Sequence, residues 1–319
     1  MECNNKDLEF NTPWIMQRAD PYIYRHSDGK YYFTASVPEY DRIIIRTADS
    51  LWDLKSAAER EVWHKHDEGP MSYNVWAPEL HYIDGVWSIY FASGEKEDIW
   101  KIRPYVLRCQ GPDPMKDDWI EVGPMRPSDK DEFSFTGFSL DGTVFENKGK
   151  YYFIWAEKVG TGKQISNLYI AEMEDIDKLK TVQVLLSTPD YEWERRGFWV
   201  NEGPSVIKKN GQIFVTYSAS DTGPAYCMGL LSISEEDNLL DPANWKKESK
   251  PILCSDEKLK IFGPGHNSFT VDDKGNDIMA YHARTESEII GDPLYNPNRH
   301  AMLMRIRWSE DGRPLFGYE

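Results

Sequence analysis

Short runs of aromatic and β-branched residues recur five times along this chain, each behind a polar turn that carries a glycine. The runs are YYFTAS from Tyr31, WSIYFAS from Trp87, YYFIWAE from Tyr151, IFVTYSAS from Ile213 and IMAYHAR from Ile278. The turns are SDGK, IDGV, NKGK, KNGQ and DKGN, with glycines at 29, 85, 149, 211 and 275. Ahead of each turn stands a second β-prone run: PYIYR, PELHYI, GTVFEN, GPSVIKK and NSFTV. Two such runs joined by a glycine turn predict a β-hairpin. The glycines fall roughly sixty residues apart, too long for helical solenoids and suited to four-stranded propeller blades. The pattern predicts an all-β protein, a five-bladed β-propeller with its active site at the central channel, in one domain over residues 1–319. Helical periodicity is scarce. MEDIDKLK, around Asp175 to Leu179, and SEEDNLLDPANW each predict a turn or two of helix between blades. The closing AMLMRIRWSEDGRPLFG predicts a strand–turn unit that completes the ring near the N-terminus.

Eight or nine residues before each turn glycine stands a chemically loaded position: Asp20, the Trp76-Ala77 pair, Asp141, Glu202 and His266. The first strand of a propeller blade lines the channel, so three carboxylates at matching offsets converge on one pocket. A single Asp-Pro or Asp-Gly is ordinarily a turn cap; three in one register are not explained that way. Converging carboxylates repel, so at least one has a raised pKa. Glycoside hydrolysis asks for such a set: one carboxylic acid to protonate the leaving oxygen and one carboxylate to activate water or attack carbon. Three acids also suit a divalent metal, but ligand sets bring closely spaced Asp and Asn, and these lie on separate repeats.

Composition narrows the partners. The formal net charge of −16 argues against nucleic acid and anionic membrane surfaces, which require clustered Lys and Arg. Twelve Trp, 18 Tyr and 13 Phe supply sheet core, and a few of them supply stacking faces for sugar C–H groups. Cys3, Cys109, Cys227 and Cys254 show no zinc spacing and are too few for a disulfide scaffold, which predicts free thiols in a reducing compartment. MECNNKDLEF lacks the basic and apolar regions of a signal peptide, and no window reaches eighteen apolar residues, so a cytoplasmic protein is expected. The acidic turn DDKGND lacks the twelfth-position Glu of a calcium loop, and HKH at His64–His66 lies in a polar segment. No GxSxG, P-loop or GxGxxG occurs, and no organic cofactor is expected.

The whole chain resembles glycoside hydrolase family 43. The resemblance runs through RADPYIYRHSDGKYYFTAS, WAPELHYIDGVWSIYFAS, LDGTVFENKGKYYFIWAE, NEGPSVIKKNGQIFVTYSAS and GPGHNSF, in order and on successive repeats. It implies a five-bladed propeller that removes arabinofuranose or xylose from plant polysaccharides with inversion. Asp20 matches the general base, Asp141 the residue that raises and orients the acid, and Glu202 the general acid. His266 matches a histidine near a calcium or sodium ion held through water. Trp76, Ala77, Glu79, Trp14, Trp199 and Asn167 are candidate sugar contacts, each equally open to a core or surface role. Two departures stand out. The opening TPWIMQRADP lacks the N-P-x-L-x-x-F-x-x-D-P stretch of many members. The closing strand has Met302 and Met304 where an Arg is common, leaving Arg299 and Arg305 as alternatives. The expectation is an exo-acting α-L-arabinofuranosidase on plant-derived oligosaccharides. A β-xylosidase or dual enzyme and a non-catalytic carbohydrate-binding propeller are the alternatives; the last would be expected to have lost an acid. Linkage preference and oligomeric state stay open.

Overall fold

A computed structural model describes residues 10–159 and 165–318. Its regular structure is almost wholly β. All five expected hairpins are present: Ala19–Arg25 with Tyr31–Ser36, Tyr73–Ile83 with Val86–Glu95, Ser139–Asn147 with Lys150–Val159, Trp199–Lys209 with Gln212–Ala219, and Phe262–Val271 with Asp277–Arg284. Each turn glycine has positive φ, the backbone region that glycine enters without a Cβ penalty. Further antiparallel strands extend each hairpin outward. Arg42–Ala48 and Arg60–His64 complete a four-stranded first sheet, and Asp98–Cys109 and Trp119–Pro124 a four-stranded second. The third and fourth hairpins belong to one continuous sheet, joined where Ile165–Asp175 pairs in parallel with Trp199–Lys209. His300–Arg305 extends the fifth. The outer edge of that strand is covered from the chain's other end: Ile15 bridges Ala301, with Trp14 N–H donating to Ala301 O at 2.8 Å. The closing strand thus lies beside the N-terminal segment, as expected, and that segment in turn covers the edge of the last sheet.

The first strands of the five units touch in cyclic order: Ala19–Arg25, Tyr73–Ile83, Ser139–Asn147, Trp199–Lys209, Phe262–Val271 and back to Ala19–Arg25. The apolar core lies between neighbouring sheets. Phe33 and Ile44 pack with Ala280 and Leu303 between the first and fifth, and Tyr32 and Ile43 with Trp87 and Leu107 between the first and second. Tyr90 and Val106 meet Phe153 and Trp155, and Met228 meets Met279 and Met302. Met302 and Met304 of the closing strand are therefore core residues, buried in the last layer. Trp14 is also core: it is 2% exposed, edge-on to Phe33 at 5.9 Å, and does not line the central cavity. The expected helix near Asp175–Leu179 is instead a tight strand return, Asp175 opposite Lys178, with the Asp177 carboxylate held by Arg126. SEEDNLLDPANW yields one short 3₁₀ turn, Pro242–Asn244, capped by Asp241.

Every first strand carries the same irregularity. Register jumps by one residue between Ala19 and Tyr22, Trp76 and Glu79, Leu140 and Thr143, Glu202 and Ser205, and Gly265 and Ser268. Two residues there oppose one on the partner strand, the signature of a β-bulge, which bends a strand and re-aims a side chain. The first bulged residue is left-handed in all five: Asp20 (φ 52°), Ala77 (47°), Asp141 (54°), Gly203 (54°) and His266 (42°).

Trp14→Ala should lower stability by about 3–5 kcal/mol, the range for removing a buried aromatic, with KM unchanged. Thermal melting beside steady-state kinetics checks this; a raised KM at unchanged melting temperature would return Trp14 to the pocket wall.

Candidate active site

A non-glycine residue in the left-handed region costs roughly 1–2 kcal/mol, so four of them in one ring need compensation. For Asp20, Ala77 and His266 it comes from hydrogen bonds between units, and Gly203 makes a bond of the same kind to the Asp141 side chain. Asp20 N–H donates to His282 Nδ1 at 3.1 Å, Ala77 N–H to Ser36 Oγ at 2.7 Å, Gly203 N–H to Asp141 Oδ2 at 3.0 Å and His266 N–H to Ser218 Oγ at 2.8 Å. Each acceptor belongs to the preceding unit, and the first bond runs from the first unit back to the fifth. The bulges are thus stitched together around a common centre, and the side chains they present are fixed relative to one another.

The stitching corrects one expectation. Asp20, Asp141 and His266 occupy the left-handed position, but in the fourth unit Gly203 does, and Glu202 stands one residue earlier, opposite Ser218. Its structural counterpart is Trp76, opposite Ala92. The hairpins differ in length by one residue, so counting back from the turn glycine blurred this step. Glycine suits the place: φ is positive, and a Cβ there would lie 3.1 Å from the His266 ring, closer than ordinary contact.

Asp20, Trp76, Asp141, Glu202, His266 and Arg299 line one cavity of about 290 Å³. Asp20 is buried; its Oδ2 accepts from Ser36 Oγ at 2.5 Å, and its Oδ1 lies 3.4 Å from His266 Nδ1 and 3.8 Å from Arg299. Burial alone would raise its pKa, but the nearby His266 and Arg299 charges prevail and hold it far below the usual carboxylate range. His282 Nδ1 also lies 3.2 Å from Oδ1, yet Nδ1 accepts the Asp20 N–H and so carries no proton to donate. Burial pushes the His282 pKa down to about 4, consistent with a neutral ring. His266 is raised: its burial is outweighed by Asp20, Asp141, Glu202 and Glu79.

The other two acids move the opposite way. Asp141 is raised to about 6, by burial first and then by Asp20 and Glu79, against the pull of His266 and the Gly203 N–H. Glu202, the least buried of the three, is raised to about 8, by burial first and then by Asp141. Tyr226 OH donates to Glu202 Oε1 at 2.8 Å, and its ring lies parallel to His282 at 5.6 Å. The Asp141–Glu202 pair therefore titrates as a unit. Near neutrality the site holds an ionised Asp20 and a protonated Glu202.

The remaining candidates divide. Trp76 is a wall, edge-on to Tyr40, and its buried indole N–H has no hydrogen-bond partner. Ala77 does not line the cavity; it carries a stitch. Glu79 lies beneath, with its Oε2 2.8 Å from His81 Nε2, and acts through charge on Asp141 and His266. Asn167 is buried outside the cavity, beside Tyr169. Trp199 lies under the Arg195 guanidinium, and its neighbours Phe198 and Val200 line the wall in its place. Of the two arginines, Arg299 enters the cavity, bonded to Tyr40 OH, while Arg305 lies over the Phe10 ring. Sequence reasoning missed Tyr226 and His282. His282 could have been found: it is the only imidazole in the five aromatic runs. Cys109 and Cys227 are buried free thiols, Cys254 is an exposed one, and Cys3 lies outside the described residues. Among the described residues no group of three or more His, Cys, Asp or Glu is arranged to hold a metal ion, so the donors near His266 do not fit a directly ligated cation.

Two carboxyl groups driven to opposite protonation states within one pocket of an all-β ring of hairpins mark an acid/base glycosidase. The chain belongs to glycosyl hydrolases family 43, whose model matches residues 10–314. It is 43% identical over 97% of its length to the extracellular exo-α-(1→5)-L-arabinofuranosidase of Streptomyces avermitilis, and spans 63% of that protein. It is 46% identical to the enzyme of the same name from Streptomyces chartreusis, over 89% of this chain and 85% of that one. The crystal structure of an α-L-arabinofuranosidase from Lactobacillus brevis superposes with a TM-score of 0.92 at 49% identity, covering 98% of this chain and 97% of the other. The expected cytoplasmic location is overturned: both Streptomyces relatives are named as extracellular enzymes.

Asp141→Asn should move the basic limb of kcat/KM to lower pH. Removing a negative neighbour makes ionised Glu202 less costly, so its pKa falls from about 8. Initial rates across pH 5–9.5 (about half-unit steps) read this; an unmoved limb would break the coupling.

Proposed function

We propose that residues 1–319 form one catalytic domain, a five-bladed β-propeller with its site at the central channel, acting as an inverting, exo-acting α-L-arabinofuranosidase. The cyclic contacts of the first strands and the closure of the fifth sheet by the N-terminal segment support the propeller. The opposed protonation of Asp20 and Glu202 is the observation that carries the chemistry. The names of the similar enzymes support the sugar, and their extracellular setting is extended to this chain with plant-derived arabino-oligosaccharides as substrate.

In this reading the terminal arabinofuranose sits against Trp76, with Arg299 and the unpartnered Trp76 N–H meeting its hydroxyls. Glu202 delivers its proton to the glycosidic oxygen as the bond to the anomeric carbon breaks. Water attacks that carbon from the opposite face and gives its proton to Asp20. His266 and Arg299 keep Asp20 ionised at every working pH. The proton transfers late, when the attacking water has become acidic through its partial bond to carbon. Asp141 contributes charge, which keeps Glu202 protonated, and its bond to Gly203 N–H, which fixes the backbone beside it.

Glu202→Ala and Asp20→Ala should each cost about 10²–10⁴-fold in kcat on α-1,5-arabinotriose. Proton NMR of the first turnover should show β-arabinofuranose before mutarotation. Retention of the α-anomer, or wild-type rates in either variant, would overturn the assignment, and comparable hydrolysis of xylobiose would overturn the sugar.

A further inference from the structure

Behind Glu202, outside the cavity, lies a buried ion pair that the mechanism above does not use. Glu194 is fully buried, and every polar direction of its carboxylate is occupied. Oε1 accepts from Asn201 Nδ2 at 2.9 Å and Tyr217 OH at 2.9 Å, and lies 2.8 Å from Lys247 Nζ. Oε2 accepts from Tyr191 N–H at 2.8 Å and from Lys247 at 3.1 Å. Lys247 is held in turn by Thr188 O at 2.5 Å and sits over the faces of Tyr191 and Tyr217.

The two side chains that Glu194 grips from the hairpin bracket the bulge that presents Glu202. Asn201 is the residue before Glu202, and its Oδ1 is fixed by Ser187 Oγ at 2.7 Å. Tyr217 stands opposite the bulged pair Gly203-Pro204, between the registers Glu202↔Ser218 and Ser205↔Thr216. Its ring occupies the space over Gly229, where a Cβ would fall 2.2 Å from it. The third unit repeats the device: Trp155 faces the Asp141 bulge and donates its indole N–H to buried Glu157 at 2.9 Å. In the first and second units the facing residues are Ala35 and Phe91, which have no side-chain donor, and in the fifth Tyr281 OH donates to the neutral Asn11 Oδ1 at 3.1 Å, so among the described residues a buried carboxylate acceptor is found only in the third and fourth. Burying a charge pair is costly and rarely improves stability over apolar packing, so the placement of Glu194 and Lys247 under the bulge that presents Glu202 calls for another role.

We propose that Glu194, paired with Lys247, is a positioning residue for proton delivery: by holding Asn201 and Tyr217 it fixes the bulge that aims the Glu202 carboxyl at the leaving oxygen. This rests on the reading of Glu202 as general acid. Glu202 is faced by Asp141, Asp20, His266 and Tyr226. Glu194 is faced by Lys247, Tyr191, Tyr217 and Asn201, with Asp190 3.5 Å from Lys247 and Cys227 beside Tyr217. Loosening the bulge moves Glu202 relative to Asp141, and only steps that need its proton suffer.

The test uses Tyr217→Phe, which removes one hydroxyl and leaves the ion pair intact, beside Glu194→Gln. Two substrates separate the roles: α-1,5-arabinobiose, whose alkoxide leaving group needs a proton, and 2,4-dinitrophenyl α-L-arabinofuranoside, whose leaving group does not. Both variants should lose about 10–100-fold in kcat on the disaccharide, a part of what a positioned acid contributes. KM and kcat on the dinitrophenyl substrate should stay within about twofold, and the basic limb of kcat/KM should move to lower pH. Equal losses on both substrates, or no loss on either by folded Tyr217→Phe, would overturn the proposal. Glu202→Ala run in parallel keeps the outcomes apart. Wild-type disaccharide hydrolysis by that variant removes the acid assignment itself, whereas an inactive Glu202→Ala beside a fully active Tyr217→Phe removes only this inference.

Discussion

The bond from a left-handed N–H to the preceding unit is the constraint on which the site depends. A bulged residue with positive φ is unfavourable in isolation and would relax if its N–H were free. Four of the five bulges have that N–H held by a side chain of the neighbour: His282, Ser36, Asp141 and Ser218. Strain at one bulge is therefore borne by a hydrogen bond to the next, and no acid can shift without disturbing an adjacent unit. Such strain persists at functional sites where the surroundings over-determine it.

The same geometry distributes charge. Asp20 has two cationic neighbours, His266 and Arg299, and becomes strongly acidic. Glu202, one residue off the left-handed position, keeps its proton because burial and the Asp141 carboxylate outweigh the hydrogen bond from Tyr226. Identical bulges thus host opposite protonation states because their second neighbours differ. Asp141 links the two through one oxygen: Oδ2 accepts the N–H beside Glu202 and lies 3.7 Å from His266.

Much of this was legible in the sequence, for a definable reason. Hairpins write their period into the chain, and an acid before Pro or Gly is visible against that period, so the hairpins and Asp20, Asp141, Glu202 and His266 could be read directly. Side-chain depth is written less clearly. Trp14 and Trp199 carry the aromatic signal of a sugar platform, but one is core and the other lies behind the wall, because a tryptophan looks alike in either place. Arg299 and Tyr226 come from loops with no period, and only three-dimensional closure brings them to the acids. The one-residue offset of Glu202 escaped because hairpin length varied by the same one residue. Location failed for another reason: it was read from the first ten residues and from unpaired cysteines, and neither determines where a chain is sent.

The bridge between Ile15 and Ala301 also orders events in time. The segment that seals the fifth sheet is synthesised before its partner strand, with the five hairpins lying between them in the sequence. Closing the long loop from Ile15 to Ala301 carries an entropic cost that grows only slowly with length, but it defers that contact until the fifth sheet has been made. Until then the edge of His300–Arg305 and the Trp14 seat are open together, and the half-built ring exposes both apolar surface and unpaired backbone. The His282–Asp20 stitch waits on the same closure, so Asp20 acquires its surroundings only when the first and fifth sheets have met.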